Sequence, residues 1–261
     1  MNDTIASNVL TALILTWNEE ENIARTLSHL QWLEKVVIID SGSTDKTIEL
    51  IQSFNNTKIC YRKFDTHAQQ WNYGLSICES EWILSLDADY ILTDAFIEET
   101  KKHIQSNNIS AFNARFEFLV FGKALTGNNT KARPVLFKKK DCIYYDDGHT
   151  QRLTINGREE NYSAKILHDD RKPLSRWLSN QAAYSQKEAD MLLETTTGLS
   201  FNSRLRKTKI LAPLFIFFYC LFIKGMIFNG WRGWHYTLQR TIAEALVSMR
   251  LVEDKIKNER K

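Results

Sequence analysis

The fold is decided by residues 9–19, VLTALILTWNE, in which a run of mostly apolar side chains stops abruptly at four polar or aromatic ones. A short apolar run of this kind is typical of a strand that is buried on both faces of a sheet. Residues 36–40, VVIID, and residues 82–89, WILSLDAD, repeat the pattern. Each of these apolar runs therefore predicts a strand that ends in a polar cluster.

The segments between the apolar runs have the apolar spacing of helices. Residues 19–33, 48–54 and 69–78 each predict a helix, and residues 58–62 predict a further short strand. Strands that alternate with helices in this way indicate a parallel sheet covered by helices on both faces. The functional residues of such sheets gather at the carboxyl ends of the strands, so the three polar clusters are expected to converge on one crevice.

The later part of the chain has a different character. Residues 109–170 contain shorter apolar runs and several turns, which predict mixed or antiparallel strands that complete the sheet. Residues 175–193 predict a helix. We expect a catalytic domain over 1–199 and a helical C-terminal region over 200–261.

Charge divides the 261-residue chain in the same place. The net charge is +3, but residues 200–261 carry 12 Lys and Arg against 4 Asp and Glu, a net charge of +8. Residues 1–199 carry 22 against 27, a net charge of −5. A total of +3 does not argue for a nucleic-acid partner, so we expect none, and the basic C-terminal region needs another explanation.

The sequence lacks the motifs of several common binding and catalytic sites. The ten glycines never form G-x-G-x-x-G, and Trp231 follows Gly230 where a P-loop requires Lys. There is no H-x-x-x-H pair, and the four cysteines are scattered, which predicts free thiols and not a zinc site or a disulfide framework. Residues 1–8 show no signal-peptide pattern.

The pair Asp87 and Asp89 is the strongest candidate for chemistry. Side chains alternate along an extended chain, so the two carboxylates fall on the same side. Two carboxylates at the end of a buried strand are suited to a hard divalent cation that holds a diphosphate.

Three motifs in register, T16-x-N-E-E-x-N-I23, V37-I-I-D-S-G-S-x-D45 and D87-A-D89, resemble those of the family 2 glycosyltransferases. The resemblance implies the GT-A fold, a Rossmann-like α/β fold with a mixed, mostly parallel sheet. It also implies inverting transfer from a nucleotide-diphosphate sugar with Mg²⁺ or Mn²⁺. The arrangement looks like the bacterial lipopolysaccharide-core β-glucosyltransferase group.

The resemblance also implies roles for individual residues. Thr16, Asn18 and Glu19 would line the nucleotide pocket, and Asn72 would lie near it. Asp40 would bind the base and Asp87 the ribose or base. Asp89 would be a metal ligand, and His168, which follows an apolar pair, could complete the metal shell.

An inverting transfer needs a carboxylate that accepts the proton of the acceptor hydroxyl. Asp147 is the preferred candidate for this general base, and Asp146 is its rival. Members of the group frequently have His-Glu where this chain has His149-Thr150, which leaves the choice of base open. The chain also departs from the group at Tyr90 and near Gln70.

The C-terminal region contains an apolar run that is flanked by basic residues. Residues 211–223 are 13 residues without a charge, preceded by four Lys and Arg and closed by Lys224. As a helix the run would be roughly 20 Å long, short of the roughly 30 Å of a bilayer core. A segment lying in the membrane interface fits this pattern best, and a spanning helix or a buried helix are the alternatives.

The sequence therefore predicts a metal-dependent hexosyltransferase, peripheral (monotopic) at the cytoplasmic face of the inner membrane. The expected donor is a nucleotide-diphosphate sugar, with a UDP-sugar as the first choice. The expected acceptor is a lipid-linked saccharide such as lipopolysaccharide core, and the expected surface is anionic lipid. The alternatives are transfer to a polyprenyl-linked glycan, a sugar-nucleotide nucleotidyltransferase and a non-catalytic membrane-bound scaffold.

Overall fold

The computed structural model describes residues 4–127, 130–147, 150–195 and 197–259, without the side chains of Asp147 and Thr150. The chain separates into two compact units. Met1–Gly122 and Asn129–Arg171 form the first, here called the sheet unit. Lys123–Asn128 and Lys172–Lys261 form the second, here called the helical unit.

The strands of the sheet unit follow the apolar runs of the sequence. They are β1 (Leu10–Thr16), β2 (Val36–Asp40), β3 (Thr57–Tyr61), β4 (Trp82–Asp87), β5 (Tyr90–Leu92), β6 (Ala111–Val120), β8 (Arg133–Lys138), β9 (Cys142–Asp147), β10 (Thr150–Ile155) and β11 (Glu159–His168); β7 (Lys123–Ala124) belongs to the helical unit. The helices of the sheet unit are α1 (Ile23–Ser28), α2 (Thr47–Gln52), α3 (His67–Ile77) and α4 (Asp94–His103), with a 3₁₀ turn at Lys139–Asp141.

The main sheet is mixed, with its parallel strands at one side. Its strand order is β3-β2-β1-β4-β8-β6-β11-β5, in which β3, β2, β1 and β4 are parallel. Strand β8 runs antiparallel to both β4 and β6, and β5 runs antiparallel to β11. Strands β9 and β10 pair separately as an antiparallel hairpin.

Both faces of the three parallel strands β1, β2 and β4 are largely buried, as their continuous apolar runs predict. In β2, Val36 and Ile38 pack into one core cluster with α1, α2 and α4, and Val37 and Ile39 pack into a second cluster with α3. Helix α3 approaches β1 closely at Gly74, where an added Cβ would lie 2.6 Å from Leu13 Cδ1. A side chain larger than hydrogen at this position would push α3 off the sheet.

The helical unit is built on two long helices. It contains α5 (Leu174–Glu194), α6 (Phe201–Lys207), α7 (Leu211–Phe218), a π-helical turn (Tyr219–Ile223), a 3₁₀ turn (Met226–Asn229) and α8 (Gly230–Glu259). Helices α5 and α8 pack together through a small buried cluster, Ala189, Leu192, Val247 and Leu251. Because α5 packs on α8, the structural division comes at Arg171, earlier than the boundary expected at residue 199.

Within the described residues, no single helix has the length and apolar composition to cross a membrane. Leu211–Ile223 and Met226–Glu259 are long and apolar enough to cross a membrane only when they are taken together, and this pair is bent by 67° at the break between its two parts.

Candidate active site

The three predicted polar clusters lie side by side at the carboxyl edge of the parallel strands. In the register of the sheet, Thr16 of β1 is paired with Asp40 of β2, and Leu15 of β1 with Asp87 of β4. Thr16 and Asp40 are buried, and Asp87 is half-exposed. The alternation of strands and helices therefore predicted correctly that these strand ends meet at one edge.

The loop after β1 is tied to the loop after β2 by hydrogen bonds. The backbone N–H of Asn18 donates to Ser43 Oγ at 2.8 Å, and Asn18 Oδ1 accepts from the Thr44 N–H at 2.6 Å. The N–H of Glu19 donates to Thr47 Oγ1 at 2.6 Å. Asn18 has a φ of 54°, a left-handed conformation that Asn tolerates better than most residues. The two loops therefore form one connected wall of the site.

Asp40 organises the loop that follows its own strand. Its Oδ2 accepts from the N–H groups of Gly42 and Ser43 at 2.8 and 3.0 Å, and its Oδ1 accepts from Ser43 Oγ at 2.5 Å. The buried Gln70 of α3 holds the same loop, since its Nε2 donates to Ser41 Oγ at 2.9 Å. A carboxylate has about four lone-pair sites, so Asp40 retains capacity for one further donor.

Asp89 and His168 lie in contact although they are far apart in sequence. Asp89 Oδ2 is 3.0 Å from His168 Nε2, because β5, which starts directly after Asp89, pairs with the end of β11. Burial disfavours the charged imidazole, but the charge and hydrogen bond of Asp89 outweigh it and raise the pKa of His168. The imidazole also packs against the rings of Tyr90 and Phe118. The contact joins a carboxylate and an imidazole at the edge where β4 ends.

Asp87 is paired with an arginine that the sequence analysis did not single out. Arg133, the first residue of β8, places Nη2 3.2 Å from Asp87 Oδ2. Its guanidinium lies over the ring of Phe116, 4.3 Å from the centroid, and 5.5 Å from that of Tyr90. Nothing local in the sequence marks Arg133, because its position next to Asp87 depends on the antiparallel pairing of β8 with β4 and β6.

A cavity of about 290 Å³ opens beside this pair. Its polar lining includes Asp87 and Arg133 together with Ser85, Tyr144 and Arg152. The hydroxyls of Ser85 and Tyr144 are 3.0 Å apart in a buried hydrogen bond, and burial raises the pKa of Tyr144 above its usual range. The cavity is therefore polar at the end near Asp87 and has a fixed hydroxyl pair in its wall.

The remaining predicted residues lie elsewhere. Both polar groups of the Asn72 amide bind the backbone of Tyr144, at 2.8 and 3.0 Å, so this side chain holds α3 against β9. Asp146 Oδ2 accepts from Thr66 Oγ1 at 3.0 Å, near the start of α3. Asp147 ends β9, but its side chain lies outside the described residues, as does the whole of His149.

Comparison with known proteins identifies the family. The sequence profile described as Glycosyl transferase family 2 matches residues 11–154, more than half of the chain. The chain belongs to glycosyl transferase family 2. The matched residues include the ends of β1, β2 and β4, all of β9 and β10 as far as Thr154, and therefore Asp147.

Curated relatives of this family 2 chain are glycosyltransferases. An uncharacterized glycosyltransferase of Rickettsia felis is 23% identical over 95% of this chain and 91% of its own length. The lipopolysaccharide core biosynthesis glycosyltransferase LpsC of Rhizobium meliloti is 33% identical, over 34% of each chain.

A solved structure shares the fold. Staphylococcus aureus TarS 1-349, solved in complex with UDP-GlcNAc, superposes with a TM-score of 0.51 at 13% identity. The match covers 96% of this chain and 92% of TarS 1-349. The architecture is the GT-A fold, as the sequence resemblance implied.

The donor set near Asp89 fits a divalent cation. Carboxylate oxygens suit Mg²⁺ and Mn²⁺, and Mg²⁺ is commonly held by one or two protein carboxylates while substrate phosphates and water supply the other ligands. Asp89 and His168 are in contact, and Asp87 lies two residues before Asp89. Within the described ranges, no group of three or more His, Cys, Asp or Glu side chains forms a metal site. Carboxylate and imidazole donors such as Asp89 and His168 are groups that divalent cations use in proteins.

A second buried network, not predicted from sequence, supports the loop after β11. Asp169 is almost fully buried, and its Oδ2 accepts from Arg25 at 2.7 Å and from Arg171 at 2.8 Å. Asn22, in the first sequence motif, donates to Asp170 at 3.1 Å. The loop that follows His168 is thus attached to the start of α1.

Proposed function

We propose that the protein is an inverting, metal-dependent hexosyltransferase that uses a UDP-sugar and glycosylates a lipid-linked saccharide, with lipopolysaccharide core as the leading acceptor. The observation that carries the proposal is the Asp89–His168 contact at the edge where β1, β2 and β4 end. Ligands of open parallel sheets bind outside this edge.

The donor and acceptor classes have separate support. TarS, which shares the fold, was crystallised with UDP-GlcNAc, which favours a UDP-sugar as donor. The partial match to LpsC, a lipopolysaccharide core glycosyltransferase, favours a lipopolysaccharide acceptor. A polyprenyl-linked glycan is the second choice of acceptor.

In the proposed reaction the acceptor hydroxyl oxygen attacks the anomeric carbon of the donor from the face opposite the diphosphate. The bond from that carbon to the β-phosphate oxygen breaks, and UDP leaves with the electron pair. The hydroxyl proton passes to a carboxylate, for which Asp147 is the first candidate and Asp146 the second. The β9–β10 hairpin carries both residues.

The residues at the strand ends have complementary roles in this proposal. Thr16, Asn18 and Glu19 line the nucleotide pocket, and Asp40 shapes the loop on which the base rests. Asp89 and His168 would hold Mg²⁺ or Mn²⁺, which would supply positive charge to offset that of the leaving diphosphate. Asp87 contacts the ribose or base.

We further propose that the protein is peripheral at the cytoplasmic face of the inner membrane, bound through the helical unit to anionic lipid. The support is a set of apolar side chains that are exposed in this unit. Phe228 and Trp231 are each 88% exposed, and Ile223 is 77% exposed. Apolar residues beside Lys and Arg are typical of segments that lie in the membrane interface.

The metal assignment is tested by Asp89→Asn in the full-length protein. Incubation with a panel of nucleotide sugars and Mg²⁺ or Mn²⁺, with and without lipopolysaccharide acceptor, should identify the donor by nucleotide release. With that donor, Asp89→Asn should lower kcat/KM by about 10²–10³-fold, the usual loss when one electrostatic contact to the transition state is removed.

The matched control is Asp94→Asn, which removes an exposed carboxylate at the start of α4. It should retain transfer activity within about twofold, since surface changes of this kind alter stability by only about 0.5 kcal/mol. If Asp89→Asn keeps full activity with the metal still required, the metal assignment is wrong.

A further inference from the structure

The helical unit contains a cavity of about 450 Å³ that the proposed transfer reaction does not use. The cavity is bounded by α6, α7, the π-helical turn and α8. Its lining combines aromatic side chains, among them Phe201, Phe215 and Tyr219, with charged ones. This combination distinguishes it from an ordinary packing gap, which would be lined by apolar groups alone.

Most of the charged side chains that line the cavity are cationic. Arg206, Lys224 and Arg240 line the cavity together with one carboxylate, Glu244. Both Glu244 oxygens accept from Arg206, at 2.8 and 2.7 Å, and Arg206 also binds Glu188 at 2.6 Å. Arg240 lies farther from Glu244, at 3.9 Å. The described lining therefore holds three cationic side chains and one carboxylate, and Lys224 and Arg240 are the two cations that lie outside the close Arg206–Glu244 contact.

The turn that carries Lys224 is held firmly in place. A Cβ on Gly127 would lie 2.2 Å from the Lys224 carbonyl oxygen, so only glycine allows this close approach. Asn229 Nδ2 donates to the Gly225 carbonyl at 3.3 Å, and Asn229 Oδ1 accepts from the Thr126 N–H at 3.0 Å. Gly225 itself has a φ of 68°, a conformation that favours glycine. The backbone therefore fixes where the Lys224 side chain starts.

Lys224 and Arg240 repel each other inside this cavity. Burial lowers the pKa of Lys224, and the positive charge of Arg240 lowers it further. An anion placed between the two cations would remove the repulsion and would itself be held by charge-assisted hydrogen bonds. The cavity is therefore complementary to a negatively charged group.

The surroundings of the cavity favour an amphiphile over a free anion. Helix α7 and the turn that follows it expose Leu214, Phe218 and Phe222, each about half exposed, next to the cavity-lining Phe215 and Tyr219. An acyl chain that covers these side chains would remove apolar surface from water, which stabilises by about 25 cal/mol per Å².

We propose that this cavity binds the phosphate head group of an anionic phospholipid, with Lys224 and Arg240 as its ligands and the apolar surface of α7 against the acyl chains. The proposal rests on the proposed membrane association and adds to it a specific lipid site. The proposal differs from a general attraction between a basic surface and anionic lipid, because it assigns the lipid binding to two particular side chains.

The test compares the full-length protein with the double variant Lys224→Gln/Arg240→Gln in vesicle flotation. The vesicles are phosphatidylcholine with or without phosphatidylglycerol. The variant should bind phosphatidylglycerol vesicles about tenfold or more weakly than the wild type, since each basic residue near an anionic surface contributes on the order of 1 kcal/mol.

The matched control is Lys255→Gln/Lys257→Gln, which removes the same charge from the end of α8. These two lysines are exposed and pair with Glu259 and Glu253. The control should bind within about threefold of the wild type, because paired surface charges contribute little. Equal losses in the two double variants would overturn the proposal, since general electrostatic attraction would then explain the binding.

A measurement on the wild type keeps the test decisive if the cavity variant misfolds. Isothermal titration calorimetry is carried out with dihexanoyl phosphatidic acid, dihexanoyl phosphatidylcholine and inorganic phosphate. The three ligands distinguish binding of an anionic lipid from binding of a lipid without net charge and from binding of phosphate alone. Phosphatidic acid should bind at least about tenfold more tightly than either of the others. Binding of phosphate as tightly as the lipid, or no binding of phosphatidic acid, would overturn the lipid site.

The same variants separate this proposal from the proposed function. Nucleotide release with a soluble acceptor fragment should be unchanged in Lys224→Gln/Arg240→Gln, because these residues belong to the helical unit. If transfer fails in the wild type while phosphatidic acid still binds, the proposed function is wrong and the lipid site stands.

Discussion

The two units of this protein use apolar and charged side chains in opposite ways. In the sheet unit the apolar residues of β1 and β2 are buried, apart from the partly buried Leu15, and carboxylates lie at the ends of the strands. In the described part of the helical unit the buried cluster between α5 and α8 has four residues, many large apolar side chains are exposed, and cations line a cavity. The same residue classes therefore make a buried core in one region and an exposed apolar surface in the other.

The largest expected difference between the two units is in how much a substitution of an apolar residue lowers the stability of the protein. Ile14→Ala, at a fully buried position of β1, should lower the free energy of unfolding by about 3 kcal/mol, because it leaves a cavity in the core. Phe228→Ala removes a larger side chain that is 88% exposed and should change it by less than about 0.5 kcal/mol. Urea unfolding followed by circular dichroism measures both. A similar loss for both would show that Phe228 is buried in the folded protein.

The next effect concerns membrane binding. Phe228→Ser/Trp231→Ser should weaken flotation with phosphatidylglycerol vesicles by about thirtyfold, since two large apolar side chains no longer enter the interface. The unfolding transition should not move. Tyr61→Ser, which removes an aromatic residue of the sheet unit that is 66% exposed, is the control and should leave flotation unchanged. Loss of flotation in the control as well would mean that the two units do not differ in this respect.

The smallest effect concerns the charge at the strand ends. Arg133→Gln should weaken UDP binding about tenfold and uridine binding hardly at all, because an arginine next to Asp87 is placed to offset diphosphate charge. Arg158→Gln, which removes an exposed arginine paired with Glu160 at 2.8 Å, is the control for net charge. Titration calorimetry with UDP and uridine checks both variants. An equal loss for the two ligands would assign Arg133 a purely structural role.

The parts of the fold that the sequence predicted well are those set by local patterns. The apolar runs of β1, β2 and β4 and their polar ends are continuous in sequence, so their convergence followed from the rule for parallel sheets. The long helix expected at 175–193 is α5, Leu174–Glu194. In contrast, the helix expected over residues 19–33 is shorter, since α1 covers only Ile23–Ser28.

The parts that were not predicted depend on pairing between distant residues. Strand β5 has only three residues, and its identity as a strand comes from β11, more than seventy residues later. The same holds for Arg133, whose pairing with Asp87 requires β8 to lie next to β4. The place of Asn72 near the nucleotide stays a prediction, and the contact of its amide with the backbone of β9 was not predicted. Such contacts have no periodic pattern in the sequence.

The late pairing of β5 with β11 has a consequence for the order in which the site forms. Asp89 is synthesised 79 residues before His168, so a chain emerging from the ribosome completes the parallel strands well before this contact can exist. Contacts of such sequence separation form slowly, because a long loop must close first. Release of the short edge strand β5 would likewise separate Asp89 from His168 while β1, β2 and β4 stay paired. Partial synthesis or partial unfolding would thus leave a folded sheet without this pair, which links the candidate metal site to completion of the whole sheet.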